Sequence, residues 1–121
     1  MNRSVVIVDD HDSFRAQARS LLIAAGYDVV GEAADGESGV AAALELRPDV
    51  VLLDVQLPDI SGLEVARRIR ERSDPPAIIL ISSREASDYG SGIDRSGARG
   101  FISKAELSAG ALEAVLGGGT R

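Results

Sequence analysis

Five times along its length this chain passes from a short run of β-branched and aliphatic residues into a longer segment of helical period. That alternation leaves few folds open. The runs are Ser4–Val8, 29–33, Val50–Asp54, Ala77–Ser82 and Gly100–Ser103. The first, third and fourth are almost unbroken Val, Ile and Leu, the pattern of parallel strands covered on both faces. Between them, Phe14, Ala18, Leu21, Leu22 and Ala25 share one helical face, with Asp12 or Ser13 as N-cap and Gly26 as the stop. Val40, Ala43 and Leu44 form a second stripe closed by Pro48, and Val65, Ala66 and Ile69 a third that ends before Pro75-Pro76. Leu107, Ala111, Leu112, Val115 and Leu116 form the last. The segment between the fourth and fifth runs holds Gly90 and Gly92, each costing about 1 kcal/mol relative to alanine in a helix. It predicts a short, irregular or mobile fourth helix.

Strict βα alternation within 121 residues predicts one α/β domain over 1–116: a flavodoxin-like (βα)5 open parallel sheet with helices on both faces and strand order 2-1-3-4-5. Residues 117–121, Gly-Gly-Gly-Thr-Arg, read as a flexible tail or the start of a linker. The chain is thus expected to be either a stand-alone domain or one piece of a longer protein. No apolar run approaches membrane-spanning length, and the start lacks the pattern of a signal peptide. With no cysteine, disulfides and thiolate metal sites are excluded, and a cytoplasmic protein is expected. A net charge of −6 argues against direct nucleic-acid binding by this domain.

In such sheets ligands bind beyond the carboxyl ends of the strands. There the sequence places Asp9-Asp10, Asp54, Ser82-Ser83 and Ser103-Lys104. Taken singly, an aspartate after a strand is usually a cap or a turn residue. Together, three carboxylates at one edge oppose one another's ionisation unless a cation sits among them. Lys104 is the single lysine of a chain that otherwise uses twelve arginines. A compact ammonium at this edge suits one phosphate oxygen better than a forked guanidinium does. Oxygen donors without imidazole or thiolate suit Mg²⁺ or Mn²⁺, and a carboxylate beside such an ion can accept a phosphoryl group. His11, the only histidine, reads as a partly exposed loop residue, and the arginines from Arg67 to Arg72 as a solvated helix face.

These motifs resemble the receiver domain of bacterial two-component response regulators, a CheY-like family. The resemblance runs through Val-Asp9-Asp10, Leu-Leu-Asp54-Val-Gln-Leu-Pro58-Asp-Ile-Ser-Gly62, Leu-Ile-Ser82-Ser83 and Gly-Phe101-Ile-Ser-Lys104. Each motif is weak alone; in order, each at a strand end, they are specific. Asp9-Asp10-His11 and the segment from Gly97 to Leu107 are similar to the NarL/LuxR branch, which usually carries a C-terminal helix-turn-helix.

The resemblance implies that Asp54 is the phosphoacceptor, supplied by a sensor histidine kinase. Asp10, Asp54 and the backbone carbonyl of Gln56 would hold Mg²⁺, with Asp9 acting through water. Ser82 and Lys104 would bind the phosphoryl group. Ser82 and Phe101 would switch the face made by helix four, strand five and helix five, altering partner binding or homodimer formation and so transcription. Ala105 stands where the family often has a cis proline, so an all-trans loop is expected. A haloacid-dehalogenase-like phosphohydrolase would need an aspartate where Gln56 stands. A flavin carrier would need a Ser/Thr-rich loop where Asp9-Asp10-His11-Asp12 stands. The implied role is therefore a signalling domain and not an enzyme.

Overall fold

A computed structural model describes residues 2–117. Five strands, β1 (Ser4–Val8), β2 (Asp28–Ala33), β3 (Val50–Asp54), β4 (Ala77–Ser82) and β5 (Gly100–Ser103), form one parallel sheet in the order β2-β1-β3-β4-β5. They alternate with α1 (Asp12–Ala24), α2 (Gly36–Leu46), α3 (Gly62–Arg70), α4 (Gly92–Ser96) and α5 (Ala109–Gly117). The strand order is the expected one, and β2 begins one residue earlier than the sequence suggested.

The period of two along each strand divides the core. Val5, Ile7, Val50, Leu52, Ile79 and Ile81 face α1 and α5 through Ala18, Leu22, Leu112 and Leu116. Val6, Val8, Val51, Leu53, Ile78 and Leu80 face α2 and α3 through Ala43, Val65, Ala66 and Ile69. Every residue of β3 is buried, so this strand is held from both sides up to Asp54. The uninterrupted aliphatic runs have their cause in this double cover.

Three local expectations change. The N-cap of α1 is His11, in extended conformation, and not Asp12 or Ser13. The His11 N–H donates to Asp9 Oδ1 and its carbonyl accepts from the Arg15 N–H, which starts the helix one residue sooner. Leu44 is 46% exposed: α2 sits on the sheet through Gly36, Gly39 and Ala43, and one residue beyond Ala43 the helix has turned outward. Gly117 is the last residue of α5, and the rest of the expected tail lies outside the described residues. The fourth helical segment is a 3-10 turn at Ala86–Tyr89 followed by the five-residue α4, as the glycines predicted. Among the described residues no peptide bond is cis.

The loop after β3 is pinned from two directions. Asp59 accepts the Gly36 and Glu37 N–H groups at 2.7 and 2.9 Å, tying the loop to the start of α2. The bond from Gly36 is the chief reason the Asp59 carboxyl titrates below its usual range. Gly62 donates its N–H to the Val55 carbonyl at 2.7 Å, and a Cβ there would press into the Asp54 carbonyl oxygen and the Val55 backbone. Gly62→Ala is therefore expected to lower stability by about 2 kcal/mol in urea unfolding, the cost of overpacking against backbone that has no room to move.

Candidate functional site

At the carboxyl edge of the sheet, β1, β3 and β5 deliver Asp9, Asp54 and Lys104 to one pocket. Asp9 is fully buried and Asp54 is 2% exposed. Lys104 Nζ lies 2.7 Å from Asp9 Oδ2 and donates to Asp54 Oδ2 at 3.3 Å. Its stem passes Phe14, with Nζ 4.6 Å from the ring centroid, so the ammonium is steered by packing as well as by charge. The Gln56 N–H donates to the other Asp54 oxygen at 3.1 Å.

Burial is the first cause that pushes the Asp54 carboxyl above its ordinary range; the Gln56 N–H acts against it, the Asp9 charge adds to it and Lys104 opposes it. Such a carboxylate is a better nucleophile than a solvated one, because little hydration must be stripped from it.

Asp10 stands at the rim with a partly exposed side chain, and His11 lies beside it. Oxygen atoms of Asp9, Asp10 and Asp54 and one ring nitrogen of His11 all fall within 4.8 Å of one another. Asp9 Oδ2 is buried and, among the described residues, accepts no hydrogen bond of good geometry and has Lys104 as its one counter-charge. An oxygen-rich cluster with one carboxylate oxygen so placed fits a hard divalent cation. Arg15 closes the outer wall: it donates to the Asp9 carbonyl at 2.6 Å and to Glu32 at 3.1 Å.

Ser82 is also fully buried at this edge. Its hydroxyl accepts the Arg84 N–H at 3.0 Å and lies 2.6 Å from the Tyr89 hydroxyl. Phe101 is half-buried on the α3–α4 side of the sheet, its ring centroid 6.2 Å from that of Tyr89. The edge thus brings together Asp9, Asp10, Asp54, Gln56 and Lys104 directly, with Ser82 and Phe101 joined through Tyr89.

The profile of the response regulator receiver domain matches residues 5–116. The chain belongs to that family. Relatives include the DNA-binding transcriptional activator EvgA of Escherichia coli, 35% identical over 103 residues, which make up 85% of this chain and 50% of EvgA. The transcriptional regulatory protein YdfI of Bacillus subtilis is 42% identical over 86% of this chain and 48% of its own length. The receiver domain spans about half the length of these curated relatives. Among solved structures, the signal receiver domain of the response regulator NarL from Mycobacterium tuberculosis superposes with a TM-score of 0.83 at 32% identity, covering 96% of this chain and 98% of that one. Among the described residues no helix is long and apolar enough to cross a membrane.

Two residues of this receiver domain were not singled out as part of the site from sequence. His11 is a 63% exposed loop residue, as expected, yet its Nδ1 lies 3.1 Å from Asp9, 3.3 Å from Asp10 and 3.4 Å from Lys104. Its adjacency to Asp9-Asp10 was the available signal. Tyr89 had none: it lies in the one segment without clear helical or strand period.

Proposed function

We propose that this receiver domain is a phosphoacceptor switch in which Asp54 takes a phosphoryl group from a sensor histidine kinase. The observation that carries it is the buried Asp54 carboxylate held between Gln56 N–H and the Lys104 ammonium, with Asp9 alongside. An Asp54 oxygen attacks phosphorus, an O–P bond forms and the N–P bond of the phosphohistidine breaks. The electron pair stays with the imidazole, and the product is an acyl phosphate. Lys104 then exchanges its carboxylate contacts for a phosphoryl oxygen, which holds the added charge of about −1.5 to −2. Asp10, Asp54 and the Gln56 carbonyl would hold Mg²⁺ or Mn²⁺, with Asp9 acting through water. When bound, the cation offsets charge on the phosphoryl oxygens. Ser82 donates its hydroxyl to the phosphoryl group, and Phe101 follows into the space it leaves.

The outcome is a changed surface across α4, β5 and α5, read by a protein partner or by a second copy of the domain. Relatives that are transcriptional regulators support an output through DNA, carried by a separate DNA-binding domain on the cytoplasmic side. The domain promotes only its own phosphorylation and dephosphorylation. A haloacid-dehalogenase-like hydrolase is disfavoured because the side chain two residues after Asp54 is the amide of Gln56.

Incubation with acetyl phosphate and Mg²⁺ is expected to give one acid-stable, base-labile phosphoryl group per chain, resolved by phosphate-affinity electrophoresis. Removal of the divalent ion with EDTA should abolish uptake. Equal uptake in EDTA would contradict the metal's part, and catalytic release of phosphate from simple monoesters would favour the hydrolase.

A further inference from the structure

The Ser82 hydroxyl is already engaged. Gln56 N–H and Lys104 take the two oxygens of Asp54, while Ser82 Oγ is held between Arg84 N–H and the Tyr89 hydroxyl. At 2.6 Å the contact with Tyr89 is at the short end for two hydroxyls. On the Ser82 side it is closed to bulk water, because Ser82 is fully buried.

Tyr89 also meets the other residue assigned to the switch. Its ring is tilted 53° against Phe101, and both rings pack against the core cluster that includes Val55, Val65 and Leu80. Phe101 carries no hydroxyl, so on its own it senses Ser82 through space alone. Tyr89 senses it through a bond.

The backbone under Tyr89 has a capped start and a glycine at its end. Tyr89 ends the 3-10 turn Ala86–Tyr89, whose start is fixed by a reciprocal cap between Glu85 and Asp88. The next residue, Gly90, has φ +58° and ψ −131°, a combination open in practice to glycine. A cap on one side and a glycine hinge on the other make the turn a unit that can swing without unravelling.

We infer that Tyr89 is a positioning residue: in the unphosphorylated domain it holds the Ser82 hydroxyl away from Asp54, and occupation of Asp54 by a phosphoryl group requires that bond to break. The inference rests on the phosphoacceptor role proposed above and deepens it. A phosphoryl oxygen is ionised, and hydrogen bonds to ionised acceptors are about twice as strong as those between neutral groups. The Ser82 hydroxyl therefore turns to the phosphoryl group once one is present and stays with Tyr89 when it is not. Released from Ser82, Tyr89 leaves the turn free to move and Phe101 free to take the vacated volume. The phosphorylation state of Asp54 is then read out first at 86–90, ahead of α4.

The test uses beryllofluoride with Mg²⁺ as the phosphoryl mimic, followed by ¹H–¹⁵N NMR. Tyr89→Phe keeps the ring and removes the bond. It should bind beryllofluoride about fivefold tighter, the equilibrium weight of one ordinary hydrogen bond. In a Ser82→Ala background the same change should have no effect. A second readout needs no affinity: the chain has two tyrosines and no tryptophan, so in a Tyr27→Phe variant all aromatic emission above the phenylalanine background comes from Tyr89. Its emission should change on adding beryllofluoride, and by the same amount on introducing Ser82→Ala. Unchanged or weaker binding by Tyr89→Phe would overturn the inference, as would an equal effect in both backgrounds, which would make ring packing the cause. Failure of the unmodified chain to bind beryllofluoride would instead remove the phosphoacceptor role, and the inference with it.

Discussion

Asp54→Asn is expected to lose phosphoryl uptake from acetyl phosphate or from a histidine kinase by about a thousandfold or more, because an amide oxygen has neither the charge nor the basicity to displace the leaving group. The change is nearly isosteric. The Gln56 N–H keeps an oxygen to bond, and Lys104 keeps Asp9 at 2.7 Å. Loss of uptake in this variant therefore reports chemistry and not a collapsed fold, and the same samples can show that the fold survives.

Burial, reinforced by the Asp9 charge, raises the Asp54 carboxyl above its ordinary range. A carboxyl raised in the folded state favours folding in its neutral form. That contribution is complete below the unfolded carboxylate value and is lost as pH rises through the folded value. At neutral pH the ionised Asp54 is thus a burden on stability that asparagine does not carry. Asp54→Asn should be more stable than the unmodified chain in urea at pH 7, and the difference should close as pH falls into the carboxylate range. The variant that cannot be phosphorylated would be the more stable one, a trade between stability and function at a site that must hold like charges close.

The second large effect belongs to Lys104. Its ammonium is the counter-charge for two buried carboxylates, and among the described residues no arginine reaches either side chain. Lys104→Ala leaves Asp9 and Asp54 facing each other with the Gln56 and His11 N–H groups in place. Removing one partner of a buried ion pair costs about 3 kcal/mol or more, and urea unfolding at pH 7 should show a loss of that size. Two further results separate this cause from lost packing on Phe14. Asp54→Asn in the same chain should recover a large part of the loss, since one carboxylate no longer needs a partner. Millimolar Mg²⁺ should also stabilise Lys104→Ala, by mass action on the folded state that holds the ion. If neither restores stability, the ammonium serves packing and its charge is incidental.

Much of this was legible because of where the strands lie. A strand buried on both faces can hardly be anything but aliphatic, so β1, β3 and β4 announce themselves, and the residue that ends each run is forced to the sheet edge. Asp9, Asp54, Ser82 and Lys104 were readable as one site for that reason, although up to 95 positions separate them in the chain. Local contacts were less readable. The N-cap of α1 moved to His11 because Asp9, a residue outside the helix, captures its N–H. Leu44 faces outward because α2 is seated through small residues, and a helical stripe drawn from large apolar residues cannot show that. The partnership of Ser82 with Tyr89 crosses from a strand end to an aperiodic turn, and no spacing rule predicts it.

The Asp54 carboxylate, and no other side chain, is expected to become covalently phosphorylated. Phosphorylation with acetyl phosphate and Mg²⁺, followed by borohydride reduction and peptide mass spectrometry, tests it directly, because reduction of an aspartyl phosphate leaves homoserine at the modified position. Homoserine at position 54 alone is the predicted result. Homoserine at Asp9 or Asp10, or phosphate retained on His11 or a serine with position 54 unchanged, would contradict it.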